Sequence, residues 1–175
     1  MYFPPLRRLG QYQISGMAID LLDDWLAIQR KAVLANLSPI KFSIQTEVDT
    51  DLAIDMFALA SLEEIGVLRA VYKVICPHCD RHNGSYSSLS VVPNNVCCKD
   101  CERIFNPHDR LEYVEIFFER TLEPNEPLVN APIKKYEMTN SGNAQSLRVS
   151  DVVKKPSSAR RHLFTSLDNR YEAAQ

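Results

Sequence analysis

Apolar residues recur at helical spacing from Ser15 onward. Met17, Leu21, Leu22, Trp25, Leu26, Ile28, Ala32, Val33 and Leu37 define a long predicted helix that Pro39 stops. Asp20, Asp23 and Asp24 fall early in it and Arg30 and Lys31 late, which suits the helix dipole. The three aspartates read as a solvated acidic turn, and the face with Trp25 and Leu26 reads as core. Ahead of this helix, residues 1–14 are aromatic and proline-containing and read as an irregular arm. Between Lys41 and Val48 the period shortens to two, with Phe42, Ile44 and Thr46 on one side, which predicts a strand. Asp49 or Thr50 caps a second helix from about Asp51 to Ile65, with Leu52, Met56, Leu59 and Ala60 as its stripe and Phe57 and Leu62 beside it. Gly66 supplies the left-handed residue behind that helix, and Val67 closes the contact after it. Val67–Ile75 is rich in β-formers. Leu111–Arg120 alternates, with Val114, Ile116 and Phe118 on one face and Tyr113, Glu115, Phe117 and Glu119 on the other. From Thr121, Pro124, Pro127, Pro132 and a Ser/Asn-rich stretch predict an extended or flexible tail over 121–175, with a short amphipathic piece around Leu163, Phe164 and Leu167.

These elements predict an α+β chain. Residues 15–75, read as helix, strand, helix, glycine, strand, resemble the later part of a winged-helix domain in pattern. Residues 76–120 form a separate β-rich module, so the expected order is arm, winged-helix-like domain, cysteine module with a long strand, and tail.

The chemistry concentrates in Cys76-Pro77-His78-Cys79 and Cys98-Lys99-Asp100-Cys101, two CxxC pairs eighteen residues apart. Each pair closes a tight turn that aims two sulfurs at one centre, and two facing turns complete a tetrahedron of thiolates. Arg81, Lys99 and Arg103 flank these turns and offset the charge of a four-thiolate site. Asp80 and Glu102 occupy positions that call for left-handed backbone, which Asp tolerates better than Glu. Cys76, Cys79, Cys98 and Cys101 in this spacing resemble the knuckles of zinc ribbons, also called rubredoxin-like. Over residues 70–107 that resemblance implies a structural Zn2+ held by four cysteines, with each CxxC joining two strands of a hairpin. Iron, as in rubredoxin, fits the same spacing. Cys-Pro-His-Cys also looks like the active tetrapeptide of some thioredoxin-fold oxidoreductases, but Asp80–Ser85 reads as a turn where those proteins place a helix. Cys97 reads as a small buried apolar residue and His78, His82 and His108 as exposed turn polarity.

Composition narrows the partners. Twenty Lys/Arg against 22 Asp/Glu give a net charge of −2, so nothing global calls for a polyanion. Residues 121–175 alone lean basic, through Lys154, Lys155, Arg160, Arg161 and Arg170. The helix predicted over 51–65 holds four acidic residues and neither Lys nor Arg, which opposes insertion into a DNA groove. No glycine-rich phosphate loop, HExxH or nucleophile elbow is present, and a closed four-sulfur site leaves no position for substrate, so the chain reads as non-catalytic. No apolar run has membrane-spanning length, the first residues lack the pattern of a secretory signal, and five cysteines, four of them fitted to a metal, suit a reducing cytoplasm.

The resulting expectation is a cytoplasmic adaptor or accessory subunit that binds a protein partner, in a layout suited to a bacterial multi-protein defence system. No membrane or small-molecule partner is expected. Phe105, Tyr113, Phe117, Leu163 and Phe164 are the candidate contact residues. The alternative is a transcription-related protein touching nucleic acid through Lys154, Lys155, Arg160 and Arg161, or touching polymerase. In module order the chain resembles the archaeal initiation factor E family.

Overall fold

A computed structural model describes residues 1–125 and 146–164. The elements are helices α1 (Gly16–Ala27), α2 (Pro39–Thr46), α3 (Thr50–Ala60) and α4 (Val149–Lys154), and strands β1 (Leu68–Ile75), β2 (His82–Tyr86), β3 (Val96–Cys97), β4 (Ile104–Phe105), β5 (Val114–Arg120) and β6 (Leu147–Arg148). A four-stranded antiparallel sheet has the order β2-β1-β5-β6, and β3 and β4 form a second, two-stranded sheet. The chain divides into two compact units. Among the described residues, one is 1–69 with 118–125, and the other is 70–117 with 146–164. The mixed helix-and-sheet class matches the expectation from sequence.

In the first unit the long helix expected over 17–37 is broken. α1 ends at Ala27, where the Gln29 side-chain amide donates to the Trp25 carbonyl at 2.8 Å. Beyond it, Leu37 exchanges backbone hydrogen bonds with Phe118 at 2.8 and 2.9 Å, and the Arg120 N–H reaches Leu34. Pairing with the end of β5 overrides the helical periodicity of residues 28–37. The strand expected over 41–48 is also corrected, because this segment is α2. Pro39 stops one helix and starts the next. It sits in the first turn, where its missing N–H costs nothing, behind Ser38, whose hydroxyl accepts from the Lys41 N–H. Helical rotation then separates Phe42, fully buried, from Ile44, which is 60% exposed. Three helices in succession thus replace the helix–strand–helix order expected for a winged helix.

α3 starts where capping predicts, with the Asp49 carboxylate accepting from the Leu52 N–H at 2.9 Å. It ends at Ala60, earlier than expected, and Gly66 at φ 60° donates to the Leu62 carbonyl after one more turn. Ala53, Ile54 and Met56 to Ala60 are all buried, so this helix is enclosed almost all round. Phe57 is central to the core. Its ring lies 5.9 Å from Trp25, 5.7 Å from Phe42 and 5.3 Å from Phe118.

The arm is ordered. Pro4–Tyr12 forms a 3-10 helix that buries Leu6 and Leu9, and Phe3 is buried ahead of it. Asp23 holds it there, and this corrects the reading of that aspartate as solvated. Its carboxylate is buried and accepts the N–H groups of Tyr2 and Phe3, each at 2.7 Å. Asp23→Ala leaves both donors without their acceptor and is expected to cost about 2 kcal/mol or more. Denaturant titration should show that loss, together with faster hydrogen exchange at Tyr2 and Phe3.

In the second unit, β1 and β2 form an antiparallel hairpin. The strand expected over Leu111–Arg120 starts only at Val114, because Leu111–Tyr113 is a 3-10 helix. Along β5, Val114, Ile116 and Phe118 are buried and the intervening residues half-buried, as the alternation predicts. Residues 146–164, expected within an extended tail, carry β6 and α4. Leu147, Val149, Val152 and Leu163 are buried, α4 packs on Leu111–Tyr113, and β6 pairs with β5 through Glu115↔Arg148 and Ile116↔Leu147. The Tyr72 hydroxyl, whose pKa burial pushes up, donates to the Leu163 carbonyl at 2.6 Å. Tail residues 126–145 and 165–175, including Pro127, Pro132, Leu167 and Arg170, lie outside the described residues.

Candidate metal centre

Two turns of the same construction carry the four cysteines. The first joins β1 to β2. The Cys76 N–H donates to the Arg81 carbonyl at 2.8 Å, and the Asp80 N–H returns to the Cys76 carbonyl at 3.0 Å. The second joins β3 to β4. The Cys98 N–H donates to Arg103 at 2.9 Å, and the Glu102 N–H to Cys98 at 3.0 Å. Both turns need a left-handed residue after the second cysteine, and Asp80 (φ 55°) and Glu102 (φ 57°) supply it. β2 follows Cys79, so the helix required by the oxidoreductase alternative is replaced by a strand.

The Sγ atoms of Cys76, Cys79, Cys98 and Cys101 all lie within 4.8 Å of one another. Cys76 and Cys101 are 3.7 Å apart, and Cys79 and Cys98 3.5 Å. These separations are too long for disulfides, whose S–S bond is about 2.05 Å. They are near the ~3.8 Å edge of a tetrahedron with metal–sulfur distances of about 2.3 Å. The four sulfurs therefore lie close enough to hold one metal ion, in a donor set that suits structural zinc.

Backbone N–H groups point at the sulfurs. His78 N lies 3.4 Å from Cys76 Sγ, and the Arg81 and Arg103 N–H groups serve Cys79 and Cys101. Cys98 receives more. The N–H groups of Cys101 and then Asp100, with the Cys79 sulfur and the Asn83 amide, favour its thiolate over the opposing effect of burial and lower its pKa to about 6. At Cys79 the Arg81 N–H favours the thiolate, but burial and the sulfurs of Cys98, Cys76 and Cys101 outweigh it and raise the pKa to about 12. Cys101 is raised in the same manner, its Arg103 N–H outweighed by burial and by the Cys98 and Cys76 sulfurs. A divalent cation replaces the protons that keep these thiols neutral.

Two exposed contacts span the turns. Arg81 lies 3.6 Å from Asp100, and the Arg103 guanidinium 3.1 Å from His78 Nδ1. Cys97 is exposed, which corrects its reading as a buried residue, and it stands outside the sulfur cluster. In the β3–β4 ladder it faces Ile104, itself 69% exposed, while the Val96↔Phe105 pair points inward. His78 and His82 are exposed as expected. His108 is half-buried instead, its Nε2 2.8 Å from the Val92 carbonyl.

The expected contact residues separate by burial. Leu163 is corrected to a core position. Phe105 is internal but lines a half-open cleft of about 420 Å³ beside the first turn, with Pro77, His78, Asn106, Asp109 and Arg110. Tyr113, Phe117 and Phe164 are half-buried, with the Lys73 ammonium 4.3 Å above the Phe117 ring. Of the basic residues, Lys154, Lys155 and Arg161 are exposed. Arg160 is corrected to a buried position, with its guanidinium on the Lys155 carbonyl at 3.2 Å.

Asn83 is the residue at the sulfur cluster that sequence reasoning missed, having read Asn83-Gly84 as a turn. The β1–β2 register runs from Val74↔Gly84 to Ile75↔His82, so Asn83 is the extra residue of a β-bulge. The bulge turns its side chain inward, where it is buried against Cys98. Gly84 follows at φ 151°, and a Cβ there would stand 2.8 Å from the Tyr86 hydroxyl. The sequence signal was this Asn-Gly pair placed just behind a CxxC.

No helix among the described residues is long and apolar enough to cross a membrane. Comparison with protein families, curated proteins and solved structures gave no match.

Proposed function

We propose that the chain is a non-catalytic adaptor or accessory subunit in which a zinc-ribbon module, braced by one structural Zn2+, presents a surface to a protein partner. The convergence of four sulfurs on one centre carries this reading. With four protein donors the ion has no open position for water or substrate, so its chemistry is to fix the two turns. What it fixes is the cleft beside the first turn and the exposed Ile104 side chain on β4. Of the residues chosen from sequence, Phe105 contributes to the cleft wall, and Tyr113, Phe117 and Phe164 remain partly accessible.

Nucleic-acid binding has less to rest on. Arg160 is internal, which leaves Lys154, Lys155 and Arg161. α3 carries Asp51 and Asp55 and no basic residue.

Affinity capture of the full chain from its host, with mass spectrometry, tests the proposal. One stoichiometric protein partner is expected, weakened at least tenfold by Ile104→Asp or Arg110→Glu while the metal is retained. Salt-sensitive gel shifts with DNA or RNA, lost in Lys154→Glu/Lys155→Glu, would favour the transcription-related alternative.

A further inference from the structure

Asn83 connects the two metal-binding turns through its side chain. Its amide nitrogen Nδ2 donates to Cys98 Sγ at 3.5 Å and to the Arg81 carbonyl at 2.8 Å, and its Oδ1 accepts the Lys99 N–H at 3.0 Å. Arg81 belongs to the first turn, and Lys99 and Cys98 to the second. Asn83 is 7% exposed, so these bonds form away from competing water. The contrast with the other links is sharp. Arg81–Asp100 and Arg103–His78 are at the surface, where such pairs contribute little.

From this geometry we infer that Asn83 is a positioning residue for the metal. It holds the second turn in register with the first and completes the hydrogen-bond shell of Cys98. The inference rests on the metal reading above and goes beyond it, because it assigns the tuning of the site to a side chain outside the CxxC pairs. An N–H···S bond withdraws charge from a thiolate, so the Asn83 amide lowers the charge that Cys98 carries. Without that bond, more negative charge stays on the four-sulfur cluster and the second turn is free to drift. Partners of this kind commonly change metal affinity 10–100-fold.

The test uses the full-length protein loaded with Zn2+ and, separately, with Co2+. Asn83→Ala should still bind one metal. Zinc transfer to a chromophoric chelator should quicken about 10–100-fold, and the sulfur-to-cobalt charge-transfer band should move to lower energy. Asn83→Asp should be at least as labile, since a carboxylate cannot donate to Cys98 and adds charge. Asp100→Ala, which removes only the exposed pair with Arg81, should change transfer by less than about twofold. If Asn83→Ala does not fold, slow solvent exchange of the Asn83 side-chain amide in the loaded wild type supports the inference, and fast exchange overturns it. Unchanged transfer and an unchanged cobalt spectrum in both Asn83 variants would also overturn it. A protein that binds no metal would overturn the metal reading itself, which is a distinguishable failure.

Discussion

Cys98→Ser, or removal of the metal with a strong chelator, should unfold the region from β2 to β4. Hydrogen exchange should show amides 82–105 losing protection. The expectation follows from comparing magnitudes. Binding of a structural zinc ion is worth about 10–16 kcal/mol in small zinc modules, whereas a whole domain is stable by about 5–15 kcal/mol. Residues 76–105 have limited packing besides the β1–β2 pairing. β3 and β4 are two residues each and pair only with one another, and apart from Cys76 and Cys98 the buried side chains of this stretch are Asn83, Leu89, Val92, Val96 and Phe105. Cys98 is the most damaging single position, since it is buried and collects the N–H groups of Cys101, Asp100 and Asn83. Serine there offers a hard hydroxyl in place of a soft thiolate. Cys97→Ser, at an exposed sulfur outside the cluster, should leave metal content and protection unchanged. If both variants behaved alike, the division between ligand and bystander would be wrong.

The second large effect is expected in the core of the other unit. Phe57→Ala should destabilise it by about 3–5 kcal/mol, read from the denaturation midpoint at constant slope. Phe57 is fully buried and meets three aromatic rings, those of Trp25, Phe42 and Phe118. Truncation loses the transfer energy of a benzyl group and its edge-to-face contacts, and leaves a void that α3 cannot collapse into because it is packed on most sides. Ile44→Ala on α2, at a side chain 60% exposed, should stay within about 0.5 kcal/mol.

The metal cluster was the most legible part of the chain, because ligand spacing is fixed by the turn that carries it. The left-handed residues after each CxxC, the Asp49 cap, Gly66 and the alternation of β5 were legible for the same local reason. What sequence misled on was set at a distance. Pro39 is compatible with the end of one helix and the start of another, and the Ser38 cap and the packing of Phe42 decide for the start. Leu34–Leu37 has helical spacing but is held by Phe118 and Arg120, more than eighty residues away. Asp23 resembles its neighbours Asp20 and Asp24 in sequence, and only the approach of Tyr2 and Phe3 makes it internal. Leu147, Val149 and Val152 were hidden in a polar stretch because two turns of helix need few apolar residues to dock. Asn83 depends on a one-residue bulge, which no periodicity announces.

X-ray absorption at the metal edge of the purified full chain tests the central claim most directly. One metal ion per chain, zinc, surrounded by four sulfurs at about 2.3 Å, is the expected result. A first shell containing nitrogen or oxygen in place of a sulfur, or cysteines recovered as disulfides with no bound metal, would contradict it.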